Sequence, residues 1–132
     1  MLRLIYTETG LDLKVIDQPV EEWIALRRSL AHRTGHVFRS EACTASFLLP
    51  KHLRQMEVLR RWLECDRASG INLALADAEF MEVSLTGHWI TSYPADAEGV
   101  FVAALHPRLE AVIAELWEKA CDRTPTSQRQ KA

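Results

Sequence analysis

The chain reads as an α+β protein, with a mostly antiparallel sheet of about five to seven strands and three helices packed mainly on one face of it. Three observations predict this. Short apolar runs follow one another across short glycine-containing loops, the pattern of hairpins and therefore of antiparallel pairing. Three segments carry apolar residues at helical spacing on one side only, so each helix has a single stripe to bury. The length, 132 residues, suits one core that needs neither disulfides nor a structural metal.

Taken in order, Leu2–Tyr6 is a short apolar strand, Thr7 to Gly10 supply a turn, and Leu11, Leu13 and Val15 alternate with Asp12 and Lys14 in a second strand. Asp17-Gln18-Pro19 opens the first helix. Asp17 is placed to accept hydrogen bonds from free amides, and Glu21 and Glu22 sit where the helix dipole favours anions. Val20, Trp23, Ile24, Leu26, Leu30 and Ala31 form its stripe, with Arg27 at the stripe's edge, and Gly35 provides the left-handed stop. His36–Leu49 is extended. Its middle, Ser40 to Ser46, consists of small and polar residues, which suits close packing or a sheet edge better than a central strand. Pro50 ends it. Leu53, Met56, Leu59, Trp62 and Leu63 then mark a second helix. Residues 71–79 alternate like a strand, although their alanines also permit a helical turn. Val100–Leu105 is apolar without alternation, as a central strand buried on both faces would be. His106-Pro107 starts the last helix, striped by Leu109, Val112, Ile113, Leu116, Trp117 and Ala120. Residues 1–122 are read as one domain and residues 123–132 as a disordered tail.

Residues 80–93 are the most informative stretch. They read as a hairpin turning at Thr86-Gly87 or Gly87-His88. Either two-residue loop puts Met81, Val83, Leu85, His88, Ile90 and Ser92 on one face, a core face. It puts Phe80, Glu82, Ser84, Thr86, Trp89, Thr91 and Tyr93 on the other. This second face is too aromatic for ordinary solvent surface and too polar for core. Trp23, Trp62 and Trp117 lie on helical stripes, where packing accounts for them. Trp89 does not, and Trp and Tyr are enriched at the energetic centres of interfaces.

No recognised motif for chemistry stands out. There is no phosphate-binding Gly-x-x-x-x-Gly-Lys-Ser/Thr loop, no Gly-x-Gly-x-x-Gly after a strand and no Gly-x-Ser-x-Gly turn. His32 and His36 are four apart, but the helix ends between them, so they read as a cationic helix terminus and no metal site is assigned. Asp77, Glu79 and Glu82 read as a solvated acidic edge. Cys43 reads as a small structural thiol, since no adjacent base activates it. No cofactor is assigned. The cysteines at 43, 65 and 121 are odd in number and form no Cys-x-x-Cys pair, which predicts reduced thiols and a cytoplasmic location. No apolar run reaches the length of a membrane span, and the first residues do not have the layout of a signal peptide.

Net charge is −2, but residues 27–67 hold nine Lys/Arg against four Asp/Glu, whereas residues 68–122 hold two against nine. The primary expectation is a non-enzymatic protein-interaction or regulatory domain, binding a protein or a second copy of itself. Its surface would be Phe80, Glu82, Trp89, Thr91 and Tyr93. The alternative is a small-ligand or enzyme domain, with a pocket between sheet and helices near residues 36–46, lined by His36, Glu41, Cys43 and Thr44. A weaker alternative is nucleic-acid binding through basic residues of the first two helices, Arg27, Arg28, Arg33, Lys51, Arg54 and Arg61. The net acidic balance and the lack of a recognition motif argue against it.

Overall fold

A computed structural model of the chain describes residues 1–66, 70–92 and 99–122. The elements are β1 (Leu2–Thr7), β2 (Gly10–Val15), α1 (Val20–Thr34), β3 (Phe38–Pro50), α2 (Arg54–Asp66), β4 (Ile71–Leu75), β5 (Phe80–Ser92), β6 (Gly99–Ala103) and α3 (Pro107–Asp122). All strand pairs are antiparallel, in one six-stranded sheet of order β2-β1-β6-β5-β3, with β4 paired to β5 as well. The long strand β5 holds this together. One of its edges pairs with β3 from end to end. The other is shared, with β4 against Met81–Leu85 and β6 against His88–Ile90.

The two sheet faces are covered differently. Helices α2 and α3 lie on one, where Met56, Leu59, Leu109, Ile113 and Leu116 pack onto Leu2, Leu4, Leu13, Val83, Leu85, Phe47, Leu49 and Phe101. The Trp117 ring meets Phe47 edge-on at 6.1 Å. Helix α1 crosses part of the opposite face, where Val20 and Trp23 close over Met1, Ile90 and Val102. Strand β6 is therefore buried on both sides, as its unbroken apolar sequence predicts: Phe101 faces the helix pair and Val102 faces α1.

The helix ends follow the sequence with one exception. Gly35 takes the left-handed conformation (φ 75°) after α1, and the His36 N–H donates to the Ala31 carbonyl at 2.8 Å, closing the last turn. At the start of α1, Pro19 is the boundary residue and no side chain caps the helix, so the expected Asp17 cap is not formed. A proline there carries no N–H to satisfy and already has a suitable φ. In α3, His106 Nδ1 accepts the Arg108 N–H at 3.1 Å, and Glu110 Oε2 accepts the Leu105 N–H at 2.9 Å.

Residues 80–92 are one continuous strand, so the expected hairpin does not form. Thr86 pairs with Thr44 and Gly87 with Cys43 in the middle of an uninterrupted ladder. A tight hairpin turn needs a positive φ, which Gly10, Gly35 and Gly70 have and Gly87 does not. Gly87 is small for another reason. A Cβ at this position would run into the Val102 carbonyl oxygen and lie 2.8 Å from the Phe101 ring. The glycine lets β6 approach β5 just where β4 ends. Residues 71–75 are a strand, and the turn after it is held by Asp77, whose Oδ1 accepts the N–H groups of Glu79 (2.7 Å) and Phe80 (2.9 Å).

Candidate interaction surface

Without a turn, every side chain after Gly87 moves to the opposite face from the one a hairpin assigns, because strand side chains alternate with period two. Met81, Val83, Leu85, Trp89 and Thr91 face the helix pair, whereas Phe80, Glu82, Ser84, Thr86, His88 and Ile90 face the side of α1. The surface expected from Phe80, Glu82, Trp89 and Thr91 is thus split across the sheet, and Tyr93 lies outside the described residues. Thr91 is buried. Trp89 is half-buried, and it packs edge-on against Tyr6 at 5.4 Å across the glycine between their strands. Gly99 makes this possible, since a Cβ there would sit 2.7 Å from the indole. The aromatic corner is covered by its own chain.

Cys43 lies on that same face, opposite Gly87. Burial, then the Glu41 carboxylate, push its thiol above the ordinary range, only partly offset by the Trp89 backbone. This is the reverse of what a thiolate nucleophile needs. Burial, then Cys43, likewise push the Tyr6 hydroxyl upward. The four residues expected to line a pocket do not converge. Glu41 and Cys43 face the helix-pair side, and Thr44 faces the other. His36 stands in the turn before β3, with Nδ1 2.9 Å from Thr34 Oγ1. A cleft of about 490 Å³ does lie between α2 and β4, lined by Arg60, Leu63, Glu64, Ile71, Leu73 and Met81. Among the described residues no group of three His, Cys, Asp or Glu is placed to hold a metal ion. The basic residues of α1 and α2 lie on opposite faces of the sheet, and Arg27 and Arg28 stack over the Trp23 and Phe38 rings at 4.8 and 5.2 Å.

What remains open is the far side of β3. Among the described residues no strand pairs with its outer edge. Lys51 N–H donates to the Glu79 carbonyl at 2.9 Å, so odd-numbered residues of β3 direct their backbone groups toward β5. The even-numbered Ser40, Ala42, Thr44, Ser46 and Leu48 direct theirs outward. The side chains of Ser40, Ala42, Thr44 and Ser46 are small, and all four are exposed on the sheet face that α1 crosses only in part, with no other helix over them among the described residues. Ser46 and Ser84 share a hydrogen bond at 2.9 Å there, and Leu48 is 51% exposed. Of the usual edge guards, β3 carries the charged Arg39 and Glu41 near its start, but no lysine, and no proline before Pro50. The small polar run 40–46 was the sequence signal for it.

The fold and this surface define a class: an α+β protein with helices on both sides of an antiparallel sheet and one long strand edge that is unpaired among the described residues. The chain matches the Alr0857-like family over residues 1–121 and belongs to it. No curated protein and no solved structure matches it. Among the described residues no helix is long and apolar enough to cross a membrane.

Proposed function

We propose that this chain is a non-enzymatic protein-interaction domain that binds through the outer edge of β3. The observation carrying the reading is that edge itself, a 13-residue strand paired on one side only among the described residues. Backbone N–H and C=O groups in a row are a template for a further strand, and main-chain hydrogen bonds supply affinity in that mode of recognition. The surface differs from the one expected from residues 80–93 because Trp89 and Thr91 are turned inward. Cys43, held protonated, and the scattered positions of His36, Glu41 and Thr44 favour interaction over catalysis in this region.

A photo-crosslinking residue placed at Thr44 tests the reading in cells producing the chain. Adducts, with itself or with another protein, are expected from Thr44 and not from the exposed control position Glu115 on α3. Equal yields at the two positions, or none at Thr44, would sink it.

A further inference from the structure

Resting on that reading, we propose that the partner is a second copy of this chain, with the two β3 edges paired antiparallel about a two-fold axis at Cys43. A self-paired strand must match each residue to its mirror position around the axis residue, which leaves few registers. An axis at Glu41 sets two carboxylates directly opposite each other, which is unfavourable. An axis at Ser40 restricts the ladder to residues 38–42, since β3 begins at Phe38. An axis at Thr44 demands an outward N–H from Pro50, which has none. An axis at Ala42 leaves Leu48 outside the ladder. An axis at Cys43 pairs residues 38–48 in full and opposes no like charges. It sets Ala42 against Thr44, Ser40 against Ser46 and the exposed Leu48 against Phe38 of the second copy.

Charge and cover agree with this register. Leu48 pairs with Glu82 inside one copy, on the strip that α1 leaves bare. Phe38, arriving beside Leu48 from the second copy, brings Arg28 stacked over it. Strands are about 4.8 Å apart, so the Phe38 backbone of the second copy lies two spacings, roughly 10 Å, from that of Glu82, within reach of an arginine and a glutamate extended toward each other. The pair forms twice, once on each side of the axis. It joins the basic part of the sequence, residues 27–67, to the acidic part, 68–122. The covered end of one copy's α1 face would thus shield the bare end of the other's.

The register makes a sharp prediction. Odd-numbered residues do not hydrogen-bond across this edge, so the two Cys43 residues form a non-hydrogen-bonded pair with Cα atoms about 4.5 Å apart. That is within the roughly 4.4–6.8 Å a disulfide spans. The test uses the full chain carrying Cys65→Ser and Cys121→Ser, so that Cys43 is the sole thiol. Sedimentation from low to high micromolar concentration should show a dimer, and mild oxidation should link it covalently. Ala42→Pro should render it monomeric with its melting temperature nearly unchanged, since the lost N–H points away from β5. Glu82→Arg should weaken the dimer tenfold or more, and Arg28→Glu in the same chain should restore it.

A chain that stays monomeric at high micromolar concentration overturns the self-pairing. If Thr44 still crosslinks to a different protein, the interaction reading stands without it. A dimer that Cys43 does not link, or that Ala42→Pro leaves intact, also overturns the proposal. Amides of Ser40 and Thr44 protected from exchange in a dilute monomer would mean that the edge is covered within one copy, and then both readings fall.

Discussion

Trp89, packed against Tyr6, shows how a single side chain on this sheet was reassigned by its neighbours. Trp89 has the look of a binding residue in the sequence, and it and Tyr6 are each half-buried against the other. An edge-on aromatic pair contributes about 0.5–1.5 kcal/mol beyond its buried area, so the corner is a stabilising contact before it is anything else. Its chemistry is testable through pH. Burial, and then Cys43, raise the folded-state pKa of the Tyr6 hydroxyl above its unfolded value. The native state therefore keeps a proton that the unfolded state releases. The resulting stability is fully present below the ordinary tyrosine value of about 10 and is lost as pH rises through the folded value. Urea melts should show stability falling above about pH 10, and Tyr6→Phe should flatten that fall. An unaltered slope in the variant would mean that Tyr6 is not the group responsible. Trp89 was misassigned from the sequence because alternation tells which residues share a face only when the course of the strand is known.

At the level of elements, the decisive feature is the length of β5. A glycine after a threonine in a β-rich segment is a reasonable turn signal, and in this chain it marks a close approach instead. A one-residue slip would expose Met81, Val83 and Leu85, each worth roughly 1.5–3 kcal/mol when fully buried, so the register of the uninterrupted strand is firmly set. Gly87→Ala should therefore destabilise the protein by about 3 kcal/mol, since its methyl meets a backbone carbonyl and a fully buried ring that cannot both retreat. Chemical denaturation measures this, and a loss below about 1 kcal/mol would show that β6 does not press on β5 as described. The stripes of α2 and α3 were legible almost residue by residue, because apolar residues at 3.6 spacing line up on one side of a helix and on no single face of a strand. In α1, by contrast, only Val20, Trp23 and Ala31 are buried and the expected Leu26 and Leu30 are exposed, since that helix crosses only part of its sheet face. The strand at 71–75 was not, since alternating leucine and alanine satisfies either period.

For the whole molecule, two cores on opposite faces of one sheet are tied together where the chain starts. The Met1 ammonium donates to the Ile16 carbonyl at 2.8 Å and lies 3.4 Å from Glu110 Oε1, with both groups buried. Glu110 also accepts the Leu105 N–H, so one carboxylate joins the β1 end to the start of α3. Glu110→Ala would leave a buried ammonium and a buried amide without their partner, and a loss of about 3 kcal/mol is expected in urea melts. A change under about 1 kcal/mol would place the pair in water rather than in the core. Several features were present in the sequence alone: the α+β class, the three helices, the buried stripes of α2 and α3, the N-terminal hairpin, the doubly buried β6 and the edge-like composition of residues 40–46. These depend on local spacing, which the order of residues carries directly. Only the tertiary structure decided that residues 80–92 run straight, that Trp89 is covered from within and that β3 is paired on one side only among the described residues. Those outcomes depend on which strands become neighbours, a matter of long-range packing that no local pattern records.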